Sequence, residues 1–180
     1  LKDLLDLSRV EANEMELEIA PVDIRRVAED VLDLMAPVFE AKLQNITSEI
    51  SLVPIQVDGD QSRLVQVVTN LLSNASKYSP EHSVIRLSTT TTTTCSIIQV
   101  SDRGIGISTD DQKKLFTPFF RSDNSETRQV SGTGLGLVIC KQIVELHGGT
   151  LTINSARGRG TTVLVELPLL NRSTESLGAA

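Results

Sequence analysis

The stretch QSRLVQVVTNLLSNASKYSPEHSVIRLSTTTTTTCSIIQVSDRGIGI, residues 61–107, decides the fold. Leu64, Val67, Val68, Leu71, Leu72 and Ala75 recur at helical offsets, which predicts a helix over Gln61–Tyr78 with one buried face. Beyond the Pro80-Glu81-His82 turn the pattern changes. Val84–Thr89 and Cys95–Ser101 predict a hairpin, and the threonine run Thr89–Thr94 supplies part of its loop as a plain β-ribbon tip.

Working outward, Leu1–Leu17 reads as a helix with Leu4, Leu5, Ala12 and Met15 among its apolar positions. The alternation over Met15–Ile19 suggests a switch to strand, ended by Pro21. Asp23 caps a second helix whose apolar set is Ile24, Val27, Ala28, Val31, Leu34, Met35, Val38 and Phe39. Short strands are expected near Asn45–Ile50 and Ile55–Val57. On the other side, 102–134 is rich in glycine, serine and charge, with one short helix opened by Ser108 and Asp111. A helix over Leu135–His147 stops at Gly148-Gly149, and strands Leu151–Ser155 and Thr161–Leu167 follow, joined by a glycine turn at Gly158–Gly160. The tail 171–180 is small and polar and is expected to be disordered. These elements predict an α+β fold, a two-layer α/β sandwich with one sheet covered on one face by helices.

The 180 residues include 17 Lys+Arg against 23 Asp+Glu, a net charge of −6. No basic cluster runs along any segment, which argues against a nucleic-acid partner. With 39% hydrophobic residues the chain is not disordered as a whole, and no run of 18 uncharged apolar residues predicts a membrane span. Cys95 and Cys140 are too sparse for a disulfide framework or a zinc site, and fit reduced thiols in the cytoplasm. Leu1 with no leader behind it reads as the start of a piece cut from a longer protein.

Several stretches could carry chemistry. Gln66, Asn70, Asn74 and Lys77 form a polar stripe opposite the apolar face of the helix over Gln61–Tyr78. A solvated surface is the plain reading. Amide oxygens suited to Mg²⁺, with a lysine beside them for phosphate, are the functional one. Asp102, at a strand end and followed by Gly104 and Gly106, is either an Asp-Gly turn or an acceptor-only group that would select adenine over guanine. GTGLGL (132–137) opens a helix, where free backbone N–H groups suit an anion. It is neither the dinucleotide fingerprint nor a Walker loop. Phe116, Phe119 and Phe120, three of the four phenylalanines, anchor one end of a polar loop at 121–131 that could close and bring Arg121 to a terminal phosphate. His82 and His147 read as structural, the latter as a cation at a helix C-terminus.

NLLSNASKYS (70–79), DRGIGI (102–107), LFTPFFR (115–121), GTGLGL (132–137) and GRGTTVLVELP (158–168) occur in that order. Together they resemble the N, first-glycine, F and second-glycine boxes and closing strand of the ATP-binding catalytic domain of sensor histidine kinases. ICKQIVELHGG (139–149) and LLDLSRVEANEMELEIAPVDI (4–24) extend the likeness over residues 1–168. The resemblance implies a Bergerat-type sandwich with a mixed, mostly antiparallel sheet and a flexible ATP lid. It divides the chain into the end of a dimerisation helix (1–17), the ATP-binding domain (18–170) and a tail. It implies ATP or ADP with Mg²⁺ as ligands. Asn74 resembles the Mg²⁺-binding asparagine with Asn70 beside it, Lys77 the phosphate-contacting lysine, and Tyr78 the aromatic flanking adenine. Asp102 matches the adenine-binding aspartate, with Gly104, Gly106 and Ile107 starting the lid and Phe116 in the F box. Gly132, Thr133, Gly134, Leu135, Gly136 and Leu137 match the phosphate-binding box, Thr161 the position near the base, and Arg121 the arginine after the F-box aromatics.

Two departures matter. Gln66 stands where some members carry an acidic base, and no histidine precedes His82, so the phosphoacceptor would lie upstream and these residues should not autophosphorylate alone. The implied partners are that upstream helix and a response regulator, and an apolar stripe on the first helix could still pair two copies. An ATP-gated clamp of the gyrase or chaperone type and a degenerate partner-binding domain are the alternatives.

Overall fold

The computed structural model describes residues 2–12, 14–122, 130 and 132–170. The expected tail (171–180) and most of the expected lid loop lie outside the described residues. The elements run α1 (Lys2–Glu11), β1 (Ala20–Asp23), α2 (Ile24–Ala41), β2 (Asn45–Glu49), β3 (Gln56–Gly59), α3 (Gln61–Tyr78), β4 (Val84–Thr91), β5 (Cys95–Ser101), α4 (Thr109–Gln112), α5 (Gly136–Leu146), β6 (Thr150–Ser155) and β7 (Thr161–Pro168).

Five strands form one sheet in the order β2-β4-β5-β7-β6, and β1 pairs with β3 in a separate two-stranded ribbon. Only β2 and β4 run parallel; the other pairs of the large sheet are antiparallel. Ile85 and Leu87 of β4, Ile98 and Val100 of β5, and Val165 and Leu167 of β7 face one way and are buried. Against them lie Val27 and Val31 of α2, Leu64, Val68 and Leu72 of α3, and Ile139 and Ile143 of α5, all excluded from solvent. This is the expected α+β sandwich. Burial of this one continuous apolar layer is the main stabilising term.

The starts of α2 and α3 are set by aspartates. Asp23 accepts from Arg25 N at 3.0 Å and Asp60 from Arg63 N at 3.1 Å, satisfying amides with no intrahelical partner. Ser108 does the same for α4 through Asp111 N.

Four expectations are corrected. The first helix ends at Glu11, short of Leu17, and the strand that follows starts only at Ala20. Pro21 sits inside that strand instead of ending it, because an edge strand can do without the proline's missing N–H. Leu34 and Val38 of α2 are 61% and 42% exposed: the apolar stripe is wider than the surface available to cover it. Thr90 and Thr91 extend β4, leaving a tighter turn than the threonine run suggested.

His147 is structural, as expected, but not as a cation. Its Nε2 lies 2.9 Å from Asp60 N and its Nδ1 2.7 Å from Ile143 O. A backbone N–H needs an acceptor, so Nε2 carries no proton and Nδ1–H donates to the carbonyl. The neutral ring ties the end of α5 to the start of α3. His147→Phe should leave Asp60 N–H buried without a partner and lower unfolding free energy by about 2 kcal/mol, measured by urea titration.

Candidate functional site

The polar stripe of α3 is divided by the fold. Gln66 donates to Asp6 Oδ2 at 2.9 Å and accepts from Arg63 at 3.0 Å, while Arg63 pairs with Asp6 at 3.0 Å. Asp6 is buried, so the glutamine is engaged in holding α1 against α3. Asn70, Asn74 and Lys77 form no side-chain hydrogen bond or ion pair among the described residues. The two asparagines are half-buried and the lysine is exposed. Unpartnered, half-buried amides are unusual, and they leave hard oxygen acceptors available in a row.

Each end of that row meets a motif distant in sequence. At one end, the Asn70 amide lies against the first residue of α5: a Cβ on Gly136 would come within 3.7–3.8 Å of it. No side chain among the described residues caps α5, in contrast to α2 and α3. Its first backbone bond runs from Ile139 N to Leu135 O, so the amides of Gly136, Leu137 and Val138 have no intrahelical acceptor. An uncapped helix N-terminus beside free amide oxygens fits a phosphate with its cation. The Leu135 side chain is fully buried in the core, so this residue offers a ligand only its backbone, and Leu137 packs partly against the same core. Thr133 Oγ1 accepts from Leu135 N at 3.4 Å.

At the other end, eight residues or about 12 Å along the helix, Tyr78 O accepts from Ile105 N at 3.1 Å and brings the glycine loop onto the end of α3. Asp102 Oδ1 accepts from Gly104 N at 2.7 Å and Thr161 N at 3.2 Å. No hydrogen bond to Oδ2 forms among the described residues. The buried Ser79 hydroxyl is near enough to favour the carboxylate but stands outside hydrogen-bond geometry. Burial pushes the Asp102 carboxyl above the usual carboxylate range; the amides of Gly104 and Thr161 oppose that without outweighing it. A cavity of about 410 Å³ opens beside this loop, lined by Lys77, Tyr78, Ser79, Gly104 and Ile105 among others.

The glycines of the loop serve a purpose that the spacing alone did not reveal. A Cβ on Gly104 would stand 2.3 Å from Tyr78 O, and one on Gly106 (φ 64°) 2.0 Å from Ala156 O. What approaches them is the protein's own backbone. The adjoining Ile107 is held through its N–H to Ser155 Oγ at 2.9 Å, and Gln112 Nε2 bonds both Ile107 O and Ser155 O. Ser155 Oγ also pairs with Thr161 Oγ1 at 2.9 Å. Ser155 and Gln112, which the motifs did not single out, therefore position the loop.

The F-box side is packed onto α5. Lys141 Nζ lies 4.9 Å from the centre of the Phe116 ring, so Phe116 stacks under a lysine. Phe119 is exposed, with φ 63°. Arg121, expected at a terminal phosphate, donates to the carbonyls of Val130 and Gly132, across the two ends of the loop. Gly134 (φ 73°) packs on the Phe119–Phe120 backbone, whereas a Cβ on Gly132 would meet nothing within 4 Å among the described residues. Among the described residues no cluster of His, Cys, Asp and Glu could hold a metal, and no helix is long and apolar enough to cross a membrane.

Residues 59–171 match the family described as histidine kinase-, DNA gyrase B- and HSP90-like ATPases. The sensor protein GacS of Pseudomonas syringae is 37% identical over 94% of this chain, and the circadian input-output histidine kinase CikA of Synechococcus elongatus 40% over 93%. The chain spans about a fifth of the length of these curated relatives, 19% and 22%. Among solved structures, full-length ShkA in complex with AMPPNP superposes with a TM-score of 0.82 at 28% identity, covering 93% of this chain and 35% of that one. Acinetobacter baumannii histidine kinase AdeS gives 0.76 at 26%, covering 94% and 77%. With relatives of this kind, the gyrase-type clamp is not favoured. The chain belongs to the histidine kinase-, DNA gyrase B- and HSP90-like ATPase family, as an ATP-binding catalytic domain of the sensor histidine kinase type.

Proposed function

We propose that the domain binds ATP with Mg²⁺ and passes its γ-phosphoryl group to a histidine on a helix outside these residues, in the cytoplasm. The observation that supports this best is the role of α3 as a spine: its Asn70 meets the uncapped start of α5 while its Tyr78 carbonyl holds the Asp102 loop. One helix thus spans an anion end and a purine end.

In this reading Asp102 Oδ2 accepts from the exocyclic amine of adenine, with Tyr78 and Thr161 beside the base. The backbone of Gly132–Leu137 and Lys77 take the phosphates, and the amide oxygens of Asn70 and Asn74 hold Mg²⁺. The cation, when bound, neutralises charge on the phosphate oxygens. Transfer breaks the bond between the γ-phosphorus and its bridging oxygen, forms one to an imidazole nitrogen, and releases the imidazole proton. The protein's part is positioning and electrostatics, with no general base required of Gln66. Arg121 reaches the phosphates only after leaving the Val130 and Gly132 carbonyls. The segment around α1 is read as the end of the dimerisation helix, and a response regulator as the final acceptor.

The test supplies the protein's own upstream helical segment as a separate chain together with γ-labelled ATP. Acid-labile, alkali-stable label on that segment is expected, with none when the domain is incubated alone. ATP binding without any transfer would instead make this a nucleotide-responsive scaffold.

A further inference from the structure

The C-terminal end of α3 is held by a device that no sequence motif announces. The last carbonyls of a helix have no intrahelical donor, and here they are shared between two neighbours. Tyr78 O goes to Ile105 N in the glycine loop. Ser76 O and Ser79 O go the other way: Lys42 Nζ donates to them at 2.6 and 2.9 Å, and Gln44 Nε2 lies 3.1 and 3.2 Å from the same two oxygens. Gln44 Nε2 is also 3.1 Å from Pro80 O, and its Oε1 accepts from Ser76 Oγ at 2.7 Å. Gln44, Ser76 and Ser79 are all buried.

Lys42 makes no ion pair among the described residues. Its ammonium is spent on main-chain oxygens at the negative end of a helix, where a cation is favoured. The turn that presents it is strained. Leu43, between Lys42 and Gln44, has φ 52°, and His82, whose N–H donates to Lys42 O, has φ 60°. Two facing turns with left-handed non-glycine residues persist only where surrounding bonds dictate them. The chain beyond the clamp is short: Ser79, gripped through its carbonyl, carries the hydroxyl beside Asp102, and Tyr78, one residue before it, contacts Gly104.

We propose that Lys42 and Gln44 are positioning residues for purine recognition, setting where the end of α3 holds the Asp102 loop without touching the nucleotide themselves. The inference rests on the reading of Asp102 as the adenine acceptor. It predicts that loosening the clamp weakens adenine discrimination rather than phosphate binding.

The experiment measures Mg·ATP and Mg·GTP affinities of the whole chain by competition titration, well below its melting temperature. Lys42→Met is expected to raise the Kd for ATP about tenfold and to leave that for GTP within about twofold, so the ATP preference shrinks. Lys42→Arg, which can still donate to both carbonyls, should restore most of it. Should the methionine variant fail to fold, Lys42→Gln, which retains one donor arm, carries the same comparison. A lower melting temperature with ATP affinity and ATP/GTP preference unchanged would make the clamp merely structural and overturn the inference. Failure of the unsubstituted chain to prefer ATP over GTP would instead strike the reading of Asp102.

Discussion

Asp102→Asn is expected to abolish most ATP binding while the domain stays folded. Oδ1 already accepts from Gly104 N and Thr161 N, and the asparagine carbonyl can keep both bonds. The position of Oδ2 then becomes an NH₂ group, so a donor faces the donor of the adenine amine. A buried polar contact converted to a mismatch costs about 3 kcal/mol, roughly a hundredfold in Kd. Titration calorimetry measures it, and an unchanged Kd would remove the adenine role from Asp102. The pH dependence adds a second arm. Burial raises the native pKa of this carboxyl above its unfolded value. An acid shifted that way contributes stability below its unfolded pKa and loses it as pH rises through the native one. At neutral pH the ionised carboxylate therefore works against the fold, and the asparagine variant should melt at or above the parent temperature. ATP affinity of the parent needs the ionised form, so it should fall as pH drops through that raised pKa; the variant should show no such fall.

Gly106→Ala should cost about 3 kcal/mol of unfolding free energy, combining left-handed strain with overpacking. Its Cβ would stand 2.0 Å from Ala156 O and 2.8 Å from Ala156 C, both backbone atoms that cannot rotate away. The neighbouring strand end is itself fixed by Gly158 N bonding Ile105 O at 2.7 Å, so relief requires moving the whole loop with Asp102. Denaturant unfolding and ATP titration should both change. Gly132→Ala is the control for stability alone, since nothing among the described residues lies within 4 Å of its Cβ. Equal stability losses in the two variants would contradict the packing account.

Much of this was legible before any coordinates. The helical spacing from Leu64 to Ala75, the Asp23 cap and the motif order from Asn70 to Leu167 identify the α+β sandwich and the family. The division of the α3 stripe was not legible. Gln66 shares periodicity with Asn70 and Asn74, and its partner Asp6 lies sixty residues away. Nor were the carbonyls of Val130 and Gly132 that Arg121 bonds legible, because local pattern cannot tell which distant oxygens a guanidinium meets. Lys42 and Gln44 gave no signal, since a lysine and a glutamine at a turn normally face water.

The sequence by itself determined the order of helices and strands, though not all of their ends, and which residue types are available to hold a nucleotide, because periodicity and side-chain chemistry are local properties. Tertiary structure alone decided that Asn74 has no side-chain partner among the described residues while Gln66 is consumed, and that the loop glycines make room for backbone. Those outcomes depend on which surfaces meet across long stretches of chain, and close packing in three dimensions, not spacing along the chain, settles that.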